Sequence, residues 1–397
     1  MKNRFILLLI FSTVLISSCD EEYLDPFSVL EPNVDGSEDS LIELLNGLQR
    51  RVSTDRAGAL YTTINTSGLN TKELRLLNPG NLGENEILLG GSNVSGDNEV
   101  LSNMWGQLML SRNEATLVID NIDNVASSAN RANTIKAYAL FYRALSHGML
   151  IQYFERLPLT IELDAEFDAR TDVLGSTIND LNQAIELASS GDSGVTSDLL
   201  SSFNILDVSH ALLARHQLMA GNYDAARSNA AQASLTSRNV WEFEDAFPNP
   251  LAFWFSSTNV AQARDQNFGL PDDLLPDPAD ARIGFHTSIA NPGESPVDYS
   301  VESFYQTNTS EIPIYLPGEM LLIQAEANAR LGNIDDAVSF LDQVLTKTEN
   351  TDIYGIGANL SAYSGAMDEQ SVLNEIYRNR RIELYLSGLS AEDTKRF

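Results

Sequence analysis

The sequence has 397 residues, 43% of them apolar, and carries 25 basic against 55 acidic side chains, a formal charge of −30. A surface this acidic repels the phosphates of nucleic acids and the headgroups of anionic lipids, so neither is expected as a partner. The apolar share is enough for a globular core, and the length suits one large domain or two ordinary ones.

The chain opens with Met1-Lys2-Asn3-Arg4, followed by 13 apolar or small residues from Phe5 to Ser17. A basic start, a short apolar run and a small-residue exit predict a secretory signal peptide over residues 1–18. A membrane-spanning helix needs about 20 apolar residues, and no later run comes close. Cys19 is the only cysteine, which excludes disulfides and thiolate metal sites within the mature chain. A free buried thiol is one reading of it. However, Ile16-Ser17-Ser18-Cys19 resembles a bacterial lipobox, which implies a thioether-linked diacylglyceride on Cys19. Two acyl chains hold a protein at a membrane where one does so only marginally. Loss of residues 1–18 removes Lys2 and Arg4 and leaves 23 basic against 55 acidic residues, or −32.

Residues 19–40 are acidic, contain Pro26 and Pro32, and read as a tether. A single domain is expected over 41–397. Helical periodicity begins near Ser40 at Leu41, Leu44, Leu45 and Leu48. The Gly- and Asn-rich stretch 78–100 reads as loop. A helix is predicted over 100–122, with Met104, Trp105 and Leu108 on its apolar side. In 134–154 apolar residues recur at 135, 138, 142, 145 and 149, which places them on one helical face. Ala137, Ala144 and Gly148 form a second, small-residue face, so burial on two sides is expected.

Two later segments, 211–234 and 322–345, share a pattern of helix, Gly-Asn, Tyr or Ile, Asp, and helix. Aligning Gly221 with Gly332 matches Ala214 to Ala325 and Ala226 to Ala337. Both Gly and Asn tolerate the positive φ of a tight interhelical turn. The pattern resembles tetratricopeptide hairpins, but the two glycines are 111 residues apart, not a multiple of the ~34-residue repeat. Something is inserted between the pairs. Residues 241–310 hold seven of the 13 prolines and 11 of the 32 aromatic residues. Loops are usually poor in large apolar side chains, so these rings either pack on the helices or face a ligand.

Catalytic signatures are absent from the sequence: there is no nucleophile elbow, His-Glu-x-x-His, phosphate loop or dinucleotide fingerprint. The histidines at 147, 210, 216 and 286 lack metal-ligand spacing. Carboxylate pairs are too common here to signal a glycosidase. Asp272, Asp273, Asp277 and Asp280 have the oxygen ligands that calcium takes, but a solvated loop is the preferred reading. No enzyme activity, cofactor or metal is expected.

Several stretches in order then resemble the SusD/RagB family of Bacteroidetes outer-membrane lipoproteins. They are "CDEEYLDP", "MWGQLMLSRNEATLVIDNID", "AYALFYRALSHGMLIQYFERLPL", "VLGSTINDLNQAIEL", "PIYLPGEMLLIQAEANARLGNIDDAVSFLDQV" and "IYRNRRIELYLSG". The sequence departs from the family pattern at Leu316 and Pro317, where an Arg and a small or aromatic residue are frequent. The resemblance implies an all-α fold of tetratricopeptide-like hairpins, an α-α superhelix with a loop-rich insertion. It also implies a lipid-anchored protein at the outer-membrane surface that captures an oligosaccharide or polysaccharide. The glycan would pass to a SusC-like TonB-dependent transporter. The acids after Cys19 are similar to surface-export signals of such lipoproteins. A sugar's C–H face stacks on aromatic rings while its hydroxyls take hydrogen bonds, so the candidate ligand residues are Trp241, Trp254, Tyr299 and Tyr305, with Phe253 and Phe255 beside Trp254. A helical scaffold that binds another envelope protein and no sugar is the alternative.

Overall fold

A computed structural model describes residues 36–162, 164–191, 193–199, 203–257 and 260–397. The signal peptide, Cys19 and nearly all of the 19–40 tether lie outside the described residues. Among those residues, helices carry the fold, and the only sheets are four two-stranded antiparallel ladders. The expected all-α class holds.

The helices pack in series along the chain. Helix α1 (Glu38–Ser53) lies on α4 (Glu99–Val125), and α4, α5 (Ala129–Leu150), α6 (Arg170–Ser189), α7 (Ile205–Met219) and α8 (Tyr223–Ala230) follow as successive neighbours. Helix α5 is buried on two sides, as its small-residue face predicts. Its Gly148 lies so close to α7 that a Cβ there would sit 2.1 Å from Nε2 of His216. Helix α2 (Ala59–Asn70) is also buried along almost its whole length. One expectation is corrected: the stretch 78–100 is not all loop, because Leu82–Leu89 form helix α3. Its Glu84 is buried against Arg56 and Tyr61, a tertiary tie that outweighs the neighbouring glycines.

The two Gly-Asn hairpins adopt the same turn. Gly221 and Gly332 have φ of +77° and +81°, and each following Asn amide reaches back 2.9 Å to a carbonyl five residues earlier, Gln217 and Asn328. The hairpins are also neighbours in space despite their separation in sequence. Helix α8 packs on α11 (Pro317–Arg330), which continues into α12 (Ile334–Leu345) and rests on α13 (Glu369–Glu383). Arg227 donates to the Asn328 side chain at 3.2 Å. The intervening chain leaves and returns through one gate: strand β4 (Val240–Trp241) pairs antiparallel with β8 (Ile312–Pro313). The insertion therefore projects from between two consecutive hairpins.

The insertion is fastened to the helices by buried charge. Arg282, in α10 (Arg282–His286), is fully buried. It donates to Asp280 at 2.6 and 3.0 Å, to Asn379 at 2.7 Å and to Glu383 at 3.0 Å. Lys347 bridges Glu383 and Asp352 from the other side. Burial alone would raise the Glu383 carboxyl, but Lys347 and Arg282 hold it below its ordinary range. Asp280, one of the four acids with calcium-type oxygens, is thus an ion-pair partner of Arg282, while Asp277 caps the Ala279 amide at 2.9 Å. Removing one partner of a buried pair strands the other charge. Arg282→Met is expected to cost about 3–5 kcal/mol in urea unfolding, read as a lower midpoint.

Burial pushes the imidazoles of His147, His216 and His286 down to about 3. In the unfolded chain they titrate near 6.5, so below that pH the unfolded state takes up protons that the fold refuses. Their contribution to stability is full above pH 6.5 and is lost towards pH 3. The Glu73 carboxyl, pushed up by burial to about 7, works in the opposite sense, losing its contribution as pH rises from about 4.5 to 7. Burial also raises the Glu392 carboxyl, which acts in the same sense as Glu73; the three histidines outweigh these two carboxyls, so stability is expected to fall between pH 7 and pH 5. Urea midpoints at the two pH values check this.

Candidate functional site

Asn249 ties distant stretches of the insertion to each other. This side chain is fully buried and accepts from the amides of Leu251 and Ala252 at 3.0 Å each. Its amide group donates to the carbonyls of Phe304 and Ser310 at 3.0 and 2.8 Å. Anchored in this way, the chain makes a single turn, α9 (Pro250–Ala252), with Pro at its start, and runs into a π-type turn over Phe253–Ser257. Such wider turns break the helical side-chain register and concentrate at functional sites. Here Trp254 and Phe255 point inward, 2% and 1% exposed, while Phe253 is 52% exposed.

Opposite lies the turn between α1 and α2. Asp55 has φ of +65°, an uncommon conformation for a residue with a side chain. Arg56 follows and is held from three sides. It donates to Glu84 at 2.6 and 3.2 Å and to Asn81 at 3.2 Å, and its guanidinium lies 4.5 Å over the Trp254 ring. Tyr61 donates to the same Glu84 oxygen at 2.9 Å and meets Trp254 edge-on at 5.2 Å. Burial works against the Arg56 charge, but hydrogen bonding to Glu84 prevails and raises its pKa. Burial, then the Glu84 charge, raises the Tyr61 phenol.

Between these walls is an open cavity of about 530 Å³, with Phe253, Pro248, Pro250, Val260 and the Trp254 edge as apolar lining and Asp55, Arg56 and Asn81 as polar rim. A second depression of about 260 Å³ adjoins it, bounded by Arg50, Thr54, Glu242, Glu244 and Phe247. The Arg50 guanidinium sits 3.6 Å above the Phe247 ring and 3.7 Å from Glu244. Together the two form a groove between residues 50–56 and 242–254. Apolar surface, planar guanidinium groups and half-exposed donors and acceptors suit a ligand with both C–H faces and hydroxyls.

Of the four candidate ligand residues the structure brings only Trp254 to this groove, and there Arg56 covers one ring face. Trp241 is 2% exposed, on the β4 gate, packed against Phe203 and Tyr142. Tyr305 is equally buried, donates to the Leu386 carbonyl at 2.6 Å and stands edge-on to Phe255. Trp241 and Tyr305 both border a narrow pocket of about 60 Å³. Tyr299 lies half-buried on β7 (Tyr299–Val301), paired with Ile289 of β6 (Thr287–Ile289). Sequence reasoning missed Arg56, Asn81 and Phe247. Arg56 and Asn81 lie outside the aromatic segment and reach the groove only through the fold, whereas Phe247 belongs to that segment and was passed over among its many rings.

No family model and no curated protein matches the sequence. Solved structures do match in fold, and those that follow are described as SusD superfamily or SusD-like proteins. A SusD superfamily protein from Bacteroides vulgatus is 15% identical, with 91% of this chain and 88% of that chain covered and a TM-score of 0.69. A SusD-like carbohydrate-binding protein from the same organism is 19% identical over 89% and 82% of the two chains, at a TM-score of 0.71. A SusD superfamily protein from Bacteroides thetaiotaomicron is 16% identical over 90% and 88%, at 0.68. At these identities the likeness is one of fold.

Trp241→Ala separates packing from ligand contact. Loss of a buried indole at the gate is expected to cost about 3–5 kcal/mol of stability, measured by urea unfolding.

Proposed function

We propose that this protein is a surface glycan-binding lipoprotein. It captures an oligosaccharide or polysaccharide in the groove between residues 50–56 and 242–254 and passes it to a SusC-like TonB-dependent transporter. The observation that carries the reading is Phe253, a half-exposed ring held over an apolar cavity whose rim offers Arg56, Asn81 and Asp55. A solved protein of the same fold is described as carbohydrate-binding, which supports the reading. Of the four aromatic candidates, Trp254 serves as the floor of this site. Trp241, Tyr299 and Tyr305 support it from the core and the insertion.

Acylation at Cys19 moors the chain to the outer membrane, and the Asp20-Glu21-Glu22 run directs it to the outer leaflet. No helix among the described residues is long and apolar enough to cross a membrane, so a lipid at Cys19 is a consistent means of attachment. Binding without catalysis suits a groove in which the basic groups are already engaged by carboxylates.

Phe253→Ala is expected to weaken binding by roughly 2 kcal/mol, about 30-fold. Affinity electrophoresis of wild type and variant against a panel of neutral polysaccharides measures it. No retardation of the wild type by any of them would favour the protein-binding scaffold instead.

A further inference from the structure

A second open cavity, of about 570 Å³, lies away from the groove, where the end of α2 meets α13 and α14 (Ser390–Arg396). Lys72, Arg381 and Lys395 line it, and none of its lining residues is acidic. In a chain with 55 acids and 25 bases that is a pronounced local reversal of sign. Focused positive potential in a concave site is what draws an anion in.

The site is built, not a chance cluster. Arg381 is 2% exposed. Its terminal nitrogens donate to the carbonyls of Phe268 and Thr71 at 2.8 and 3.1 Å and to the hydroxyls of Tyr377 and Thr394 at 3.2 Å each. Gly269 is required beside it: its φ is +69° and a Cβ would meet the Thr71 carbonyl at 2.1 Å. Lys72 is exposed at the mouth in a left-handed conformation, φ +65°. Two buried polar atoms of the lining, Nε of Arg381 and Oε1 of Gln152, have no hydrogen-bond partner among the described residues. Buried polar atoms are seldom left that way.

Two of the cavity's cations are paired from behind the wall: Glu73 stands 3.5 Å from Arg381 and Glu392 3.9 Å from Lys395. Lys395 otherwise donates to the Gln152 carbonyl. Lys72 has no ion pair among the described residues.

We propose that this cavity is a second ligand site, for an oxyanion carried by an acidic saccharide: the carboxylate of a uronic acid or the sulfate ester of a sulfated glycan. Lys72 meets the anion at the mouth. Arg381 and Lys395 line the interior of the cavity. That the anion belongs to a saccharide rests on the glycan reading above, whereas the preference for an oxyanion rests on this cavity alone.

The purified chain is titrated calorimetrically at low salt with galacturonate, with inorganic sulfate and with uncharged galactose. Galacturonate and sulfate are expected to bind and galactose not to. Lys72→Asn removes the charge while keeping a side chain that tolerates positive φ, and is expected to weaken both anions about tenfold. Lys72→Arg is expected to restore them. Thermal melts of each variant confirm that the fold is intact. Absence of binding by either anion, or equal binding by wild type and Lys72→Asn, would overturn the proposal. Phe253→Ala is expected to leave anion binding unchanged, so failure of the groove and failure of this site are separately visible.

Discussion

One carboxylate, Glu383, ties together parts of the chain that would otherwise be free of each other. It sits on α13 and takes Arg282 from the insertion and Lys347 from the chain beyond α12. All three are essentially out of water, and such a group is tolerable in the interior only when every charge is met. The insertion must therefore return to the same place on the helices, or leave a guanidinium and a carboxylate stranded. With the β4–β8 gate at its base and Asn249 fixing the turn above it, the segment that carries Phe253 is set against the α1–α2 turn. The groove inherits its shape from these fastenings.

The stretch that reads as an Arg-Arg, Glu-Leu motif near the end of the chain has a physical reason for its composition. Arg380 pairs with Asp393 at 2.8 Å, Arg381 gathers the carbonyls of Thr71 and Phe268, and Glu383 holds Arg282. Glu326 on α11 takes Arg396 at 3.0 Å and Arg330 at 3.1 Å. Polar residues here join helices to loops inside the protein, where an apolar seam would allow sliding.

Much of the scaffold was legible in the sequence because it is local. Ala337, Leu341, Val344 and Leu345 form a stripe at helical spacing, and the Gly-Asn pairs mark turns whose φ values require them. Spacing alone also showed that something separates the hairpins, though not that α8 and α11 would touch across it. The site was less legible. Proline-stiffened aromatic residues look alike in sequence whether they face solvent or core, and Trp241 and Tyr305 went to the core because the gate and the Leu386 carbonyl claimed them. Phe253 and Trp254 are adjacent, yet a π-type turn sends one out and the other in. Helix α3 was hidden among glycines, and with it the Glu84 that positions Arg56.

Two regions of opposite character thus sit on one scaffold: a groove of rings and compensated charges, and a cavity of basic side chains. The central claim is that a glycan lies in the groove. Hydrogen exchange followed by mass spectrometry, with and without a polysaccharide that retards the protein in affinity electrophoresis, tests it directly. Slowed exchange confined to residues 50–56 and 242–254 is the expected result. Protection elsewhere, with those two segments unchanged, would contradict it.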